Sequence, residues 1–170
     1  IFLSMVERFL QYLEFEKRMS KHTLTSYSND LHQFSAFRLE EYGSDDISTA
    51  VYLEIRSWLA SLMEQGLSPR SVNRKKTALQ TYFKFLLKEG LISENPMKRV
   101  ISPKTSKRLP VYIKENDLEE LFIRIRPEET EGFGAVRDRM ILEMFYATGM
   151  RLSELTGLKD SDVDITGMSI

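Results

Sequence analysis

The chain has 170 residues, of which 42% are hydrophobic and 11% aromatic. This is enough apolar material to bury one good core or two small ones. Cysteine is absent, which excludes disulfides, thiolate nucleophiles and cysteine-ligated zinc and suits a reducing cytoplasm. His22 and His32 have no carboxylate cluster at ligand spacing, so we expect no metal site. No apolar run approaches the ~20 residues of a membrane span, and we expect an intracellular protein.

The net charge of −1 hides a strong segregation of charge along the chain. Residues 65–114 carry twelve basic and two acidic residues, a net charge of +10, whereas the remainder carries a net charge of −11. Clustered cations of this kind are typical of proteins that bind phosphate groups. A solvated helix face followed by a basic linker would give the same count, so both interpretations stay open.

Apolar residues at helical spacing predict four helices in the first half of the chain. We expect them at about residues 5–15, 20–43, 50–65 and 68–90, with Ser20 and Ser68 as N-caps. Trp58 lies in register with the apolar stripe of the third helix. Its position therefore predicts a core residue and not a base-stacking platform.

The fourth predicted helix is the most informative for function. Pro69 suits its first position, and one face opposite the core stripe carries polar residues at spacings of three and four. Asparagine and arginine can read base edges in a major groove, and lysines on the flank suit phosphates. The candidate DNA-binding residues of this helix are Arg70, Asn73, Arg74 and Thr77 on the face and Lys75 and Lys76 on its flank.

The second predicted helix carries a short-chained polar face that includes Lys21 and Thr25. Such side chains let a helix lie close to a DNA backbone and donate to phosphates. Plain solvent exposure explains the same pattern, and this helix alone favours exposure.

Helix-breaking prolines and dense basic charge predict a linker after the fourth helix. We assign residues 1–93 to a first domain, 94–112 to the linker and 113–170 to a second domain. The linker carries too little apolar surface for us to expect it to be fixed without DNA. Its candidate DNA contacts are Lys104, Lys107 and Arg108.

Residues 147–155 contain a glycine suited to end one helix, followed by an arginine at the predicted start of the next. Gly149 falls where a helix end needs a positive φ, and a new helix should begin near Arg151. A cation in the first turn of a helix opposes the macrodipole, so an anionic ligand such as phosphate would explain Arg151. A surface ion pair between Arg151 and Glu154 explains it equally well from spacing alone.

The wider sequence resembles the tyrosine recombinases, the family of the Xer recombinases and the phage and transposon integrases. The resemblance rests on Ala147-Thr148-Gly149-Met150-Arg151-Leu152-Ser153-Glu154-Leu155, Arg137-Asp138-Arg139, Val72-Asn73-Arg74, Asn95-Pro96 and Leu109-Pro110. It implies a mainly α fold: a four-helix SAM-like core-binding domain, a basic linker, and then the helical start of an α+β catalytic domain. Among these families the chain is most similar to the Xer type.

The resemblance also implies a function and a mechanism. It implies duplex DNA as partner, other recombinase protomers in a synaptic complex, no cofactor, and a cytoplasmic, nucleoid-associated location. In the full-length family, a tyrosine attacks a phosphodiester to give a 3′-phosphotyrosyl intermediate. The arginine that matches Arg151 holds the scissile phosphate, and the glutamate that matches Glu154 supports that arginine.

The family's later catalytic residues, including the nucleophilic tyrosine, have no counterpart in these 170 residues. We therefore expect this chain to be an N-terminal portion that binds DNA, is catalytically incomplete and is monomeric. Two alternatives stay open, namely a non-catalytic helical DNA-binding module and a helical protein-interaction adaptor.

Overall fold

A computed structural model describes residues 2–106, 112–124, 132–164 and 167, with side chains from residue 5 onwards. The mainly helical fold expected from the sequence is confirmed. The chain divides into two compact units, Ile1–Lys107 and Arg108–Ile170. The α-helices in the described ranges are α1 (Phe2–Gln11), α2 (Lys21–Tyr42), α3 (Tyr52–Glu64), α4 (Pro69–Lys88), α5 (Glu115–Arg124), α6 (Phe133–Thr148) and α7 (Leu152–Gly157).

The ends of the long helices follow local capping chemistry. The Ser20 hydroxyl accepts a hydrogen bond from the Thr23 amide (3.3 Å) and starts α2, which ends at Gly43 with φ of 71°. The Ser68 hydroxyl accepts from the Ser71 amide (3.2 Å) and starts α4 in the same way. Both predicted helix starts are confirmed.

The apolar faces of α1 to α4 meet in one core within the first unit. Trp58 of α3 is 2% exposed and packs against Phe34 of α2, with ring centroids 5.0 Å apart. Phe9 of α1 meets Tyr82 of α4 edge-on at 5.2 Å. Each such buried ring stabilises the fold by about 1.5–3 kcal/mol through loss of apolar surface from water. The prediction that Trp58 is a core residue is confirmed.

A buried arginine ties α2 to the start of α3. Arg38 is 3% exposed, and its Nε donates to Glu54 Oε2 at 3.0 Å. The same guanidinium donates to the backbone carbonyl of Asp46 in the turn between the helices. Glu54 also accepts from the Val51 amide (3.1 Å), so its carboxylate both caps α3 and neutralises Arg38. Helical periodicity in the sequence does not predict this network.

The first part of the predicted linker packs into the core of the first unit. Asn95 accepts from the Met97 amide (2.8 Å) and starts a short 3-10 helix, Pro96–Arg99. Met97 and Val100 are buried, at 4% and 8% exposure. The expectation that the linker carries too little apolar surface to be fixed is therefore wrong for residues 95–100. The domain boundaries assigned from the sequence remain predictions.

The second unit contains α5, α6 and α7. Phe122 of α5 and Tyr146 of α6 contact each other, with ring centroids 5.5 Å apart. Gly149 ends α6 with φ of 66°, as its position in the sequence predicts, and Arg151 is the N-cap of α7. Many apolar side chains of this unit are exposed, including Phe133 (82%) and Leu152 (66%). Among the described residues, no helix is both long and apolar enough to cross a membrane.

Replacement of Met97 by alanine tests whether residues 95–100 belong to the core. Met97→Ala should lower the free energy of unfolding by roughly 2 kcal/mol or more, because it leaves a cavity among α3, α4 and the short helix. The control Ile101→Ala should change it by less than about 0.5 kcal/mol, because Ile101 is 86% exposed. Urea unfolding followed by the fluorescence of Trp58, the single tryptophan, measures both. Equal effects of the two substitutions would contradict the packing of Met97.

Candidate nucleic-acid interface

The first half of α4 presents basic and polar side chains on one exposed face. Arg70 and Thr77 are exposed, and the side chain of Arg74 is 47% exposed. Arg70 has no hydrogen-bond or ion-pair partner among the described residues. The Thr77 hydroxyl donates to the Asn73 carbonyl (2.9 Å) within the helix. Arg70 is therefore the cation of this face that is most available to an external anion.

A buried carboxylate of α2 lies directly beside this face. Asp30 is 1% exposed and accepts from Arg74 Nη2 (3.0 Å) and from Lys75 Nζ (2.8 Å), both on α4. Ser26 and Gln33 of α2 accept further hydrogen bonds from Arg74 and Lys75, respectively. We call these five residues the Asp30 cluster. It joins α2 to α4 through two cations that share one anion.

The Asp30 cluster changes the interpretation of Lys75. From the sequence we expect Lys75 on the flank of α4, available to phosphates, but its side chain is only 8% exposed and its ammonium group faces Asp30. The expectation of an exposed Lys75 is wrong because a buried carboxylate draws the ammonium inward. A signal was present in the sequence, since Asp30 interrupts the apolar stripe that contains Leu31 and Phe34. Charged residues are almost never buried unless they are paired.

Two further polar side chains of α4, Asn73 and Lys76, hold the extended segment of residues 101–104. Asn73 Nδ2 donates to the Pro103 carbonyl (2.9 Å), and Lys76 Nζ donates to the Ser102 hydroxyl (2.8 Å). The Asn73 oxygen Oδ1 is buried and has no partner among the described residues. The amide of Asn73 thus lies against the protein's own backbone and does not project into solvent as base readout would require.

The other predicted DNA contacts of the first unit lie on α2 and the extended segment. Lys21 and Thr25 are exposed, and the Thr25 hydroxyl donates to the Lys21 carbonyl (3.0 Å). The hydrogen bond from Arg74 to Ser26 brings this end of α2 beside α4. Lys104 is exposed. Lys107 and Arg108 lie outside the described residues.

In the second unit, Arg151 and Glu154 form a reciprocal pair at the start of α7. The Arg151 amide donates to Glu154 Oε2 (2.7 Å), and Arg151 Nη1 donates to Glu154 Oε1 (2.9 Å). The backbone hydrogen bond first, and then the guanidinium, lower the pKa of the Glu154 carboxyl below its usual value. The Arg151 side chain is 81% exposed. The ion pair predicted from spacing is present, and it leaves most of the guanidinium donors open to an external ligand.

Neither histidine lies in a metal-binding arrangement. His22 and His32 are exposed on α2, and His32 Nδ1 lies 2.8 Å from the Ser28 carbonyl oxygen. In the part of the chain that the structure describes, no group of three or more His, Cys, Asp or Glu side chains is arranged to hold a metal ion.

The four-helix unit matches a known family. Residues 6–90, half of the chain, match the family described as Phage integrase, N-terminal SAM-like domain. The chain belongs to the phage integrase family of tyrosine recombinases. The family match covers most of α1 and all of α2, α3 and α4, including the whole Asp30 cluster.

Curated tyrosine recombinases extend the similarity over nearly the whole chain. Tyrosine recombinase XerC of Bacillus subtilis (strain 168) is 38% identical over 160 residues, which are 94% of this chain and 51% of that protein. Tyrosine recombinase XerC of Listeria innocua serovar 6a is 38% identical over 164 residues, 96% of this chain and 54% of that protein. The chain therefore spans about half the length of these relatives, and among tyrosine recombinases it resembles the Xer type.

Solved integrase structures share the fold. The Tn1549 transposon integrase in complex with a circular intermediate DNA gives a TM-score of 0.68 at 19% identity, covering 94% of this chain and 49% of that chain. The integrase from mycobacterium phage Brujita gives a TM-score of 0.57 at 22% identity, covering 95% and 50%. The SAM-like helical architecture expected from the sequence is thus found in integrases.

Removal of the Asp30 carboxylate tests the role of the cluster in this recombinase fold. Asp30→Ala should destabilise the protein by roughly 3 kcal/mol or more, because it leaves the buried Lys75 ammonium without its anion. The second substitution Lys75→Met in the same chain should recover most of that loss. The control Asp45→Asn removes a negative charge at an exposed position and should change the free energy of unfolding little. Denaturant unfolding measures all four proteins, and a double variant as unstable as Asp30→Ala would contradict a pairing role.

Proposed function

We propose that this chain binds duplex DNA as the N-terminal, DNA-binding part of an Xer-type tyrosine recombinase. The observation that carries the proposal is the exposed face of α4, where Arg70 has no partner among the described residues and Arg74 lies half-exposed beside it. Guanidinium groups are suited to phosphate oxygens and to guanine edges. The Tn1549 integrase, which shares the fold, was solved in complex with DNA, and this supports the same ligand class.

Basic residues and threonines from three segments contribute to the proposed surface. Lys21 and Thr25 come from α2, Arg70, Arg74 and Thr77 from α4, and Lys104 from the extended segment. Lys107 and Arg108 complete the proposed set. Lys75 is not part of it, because its ammonium is buried and paired. Phosphate contacts from such a set fix the register of the protein on the duplex, while base contacts supply the sequence preference.

In the second unit, we propose that Arg151 holds the scissile phosphate of the whole recombinase. Its side chain is 81% exposed, and Glu154 engages one guanidinium nitrogen, Nη1, at 2.9 Å. A guanidinium has five donors in a fixed fork, so the remaining ones suit two oxygens of a phosphodiester. Fixed donors of this kind stabilise the charge that develops when a nucleophile attacks phosphorus. Glu154 would hold the fork in place during that step.

The remaining parts of the proposal concern partners and location. The whole recombinase would act with other protomers in a synaptic complex on DNA, whereas this chain alone would be monomeric. With DNA as its substrate, the whole recombinase would act in the cytoplasm, at the nucleoid.

Binding of duplex DNA should depend steeply on salt. Each neutralised phosphate contributes about −0.9 to the slope of log K against log salt, so several contacts give a steep slope. Arg70→Ala should weaken binding and reduce the slope by about one unit. Fluorescence anisotropy over a salt series measures both.

The matched control for Arg70→Ala is Arg8→Ala. Arg8 pairs with Glu89 at 3.2 Å, near the opposite end of α4, so the variant removes the same charge away from the proposed face. It should leave the slope unchanged. A slope that is flat in the unaltered protein would contradict DNA binding and favour a protein-interaction adaptor. Equal losses from both variants would contradict the assigned face.

The 170 residues should bind DNA without forming a covalent adduct. The family resemblance places the nucleophilic tyrosine after Arg151, and all seven tyrosines of this chain precede Arg151. Burial raises the pKa of Tyr82 to about 12, with the Asp46 charge adding to the effect, so this phenol is protected from ionisation. Nicked DNA substrates that trap phosphotyrosyl intermediates, analysed by denaturing gel electrophoresis, provide the assay. A DNA-linked protein band would contradict the expectation.

A further inference from the structure

Asn73 has chemistry suited to base readout, but its surroundings point to another role. Its Nδ2 donates to the carbonyl of Pro103, thirty residues away, at 2.9 Å. Its Oδ1 is buried, and the residue as a whole is only partly exposed. An amide that reads an adenine needs both its donor and its acceptor directed into the groove. The Oδ1 of Asn73 is buried, and its Nδ2 is engaged by a backbone carbonyl.

The neighbouring Lys76 makes a parallel contact with the same segment. Its Nζ donates to the Ser102 hydroxyl at 2.8 Å, one residue before the carbonyl that Asn73 binds. Just upstream, Val100 is 8% exposed and Met97 4% exposed, so the segment is already held in the core when it reaches α4. Two adjacent polar contacts then fix its path along the helix as far as Pro103.

We propose that Asn73 is a positioning residue that fixes residues 102–104 on α4 and thereby sets where Lys104 lies. The proposal has a direct physical basis. Proline has no amide hydrogen but keeps its carbonyl acceptor, and its ring restricts the backbone, so a bond to Pro103 holds a stiff point of the chain. Lys104 follows immediately and is exposed. The backbone at Lys104 is thus held next to the α4 helix that carries Arg70 and Arg74.

The absence of cysteine allows a distance measurement that does not involve DNA. Nitroxide labels on Lys84→Cys, an exposed site on α4, and Lys104→Cys report the docking of the segment by pulsed electron paramagnetic resonance. The distance distribution should have one narrow component. Asn73→Ala should shift the ratio of docked to undocked chains about fivefold toward undocked, the ratio that corresponds to one net hydrogen bond.

Two further variants sharpen this measurement. Asn73→Asp keeps the shape of the side chain and removes the donor, so it should broaden the distribution at least as much as Asn73→Ala. Thr77→Ala removes a hydroxyl that bonds only within α4 and should leave the distribution unchanged. A narrow distribution in both Asn73 variants would overturn the proposal.

A second measurement links the positioning to DNA and rests on the proposed function. If Asn73 places Lys104, then Lys104→Ala should weaken duplex binding in the unaltered chain and have a much smaller effect in the Asn73→Ala background. The preference for one DNA sequence over another should stay the same in Asn73→Ala. Loss of that sequence preference in Asn73→Ala, together with a narrow distance distribution in the same variant, would instead make Asn73 a base reader and contradict the positioning role. If DNA does not bind at all, the proposed function fails, while the distance measurement still decides the role of Asn73.

Discussion

The contact between α2 and α4 depends on one carboxylate that is withdrawn from water. Apolar surfaces such as those of Leu31 and Leu79 tolerate small shifts of one helix against another, because the hydrophobic effect has no direction. An ion pair restricts such shifts, since Asp30 must meet Lys75 Nζ at 2.8 Å and Arg74 Nη2 at 3.0 Å. We infer that the cluster selects one register of α2 against α4. The exposed polar residues of the two helices, Lys21 and Arg70 among them, therefore keep a fixed relation to each other.

The Asp30 cluster also shows that the number of cations in the sequence exceeds the number that the folded protein exposes to a ligand. Of the twelve cations in residues 65–114, Lys75 is buried, and Arg74 shares the carboxylate of Asp30. Lys88 Nζ donates to Glu16 Oε2 at 2.9 Å, and this hydrogen bond raises the pKa of the Lys88 ammonium. The count of +10 is thus an upper limit on the charge offered to a phosphate backbone. Arg70 and Lys104 are exposed, and neither has an ion-pair partner among the described residues.

The parts of the structure that the sequence predicted are those determined over a few residues. Ser20, Gly43, Ser68 and Gly149 begin or end helices as expected, because a cap requires only its own turn. Contacts between distant residues were missed, such as Arg38 with Glu54 and Asn73 with Pro103. These contacts depend on how helices cross, which helical periodicity does not encode. A polar residue inside an apolar stripe, as at Asp30, was the one sequence signal that such a partner exists.

The buried side chains after α4 determine where two recombinases of this kind can be joined to make a chimaeric protein. Met97 and Val100 are buried in the core that α3 and α4 help to form in the first unit, although prolines and lysines surround them in the sequence. A chimaera joined directly after α4 would combine the helices of one parent with the residues at positions 97 and 100 of another. Volume mismatches in a core are destabilising in either direction. A junction beyond residue 104 would transfer these buried side chains with the helices they pack against, along with the Asn73 contact, and so exchange the four-helix unit as one piece.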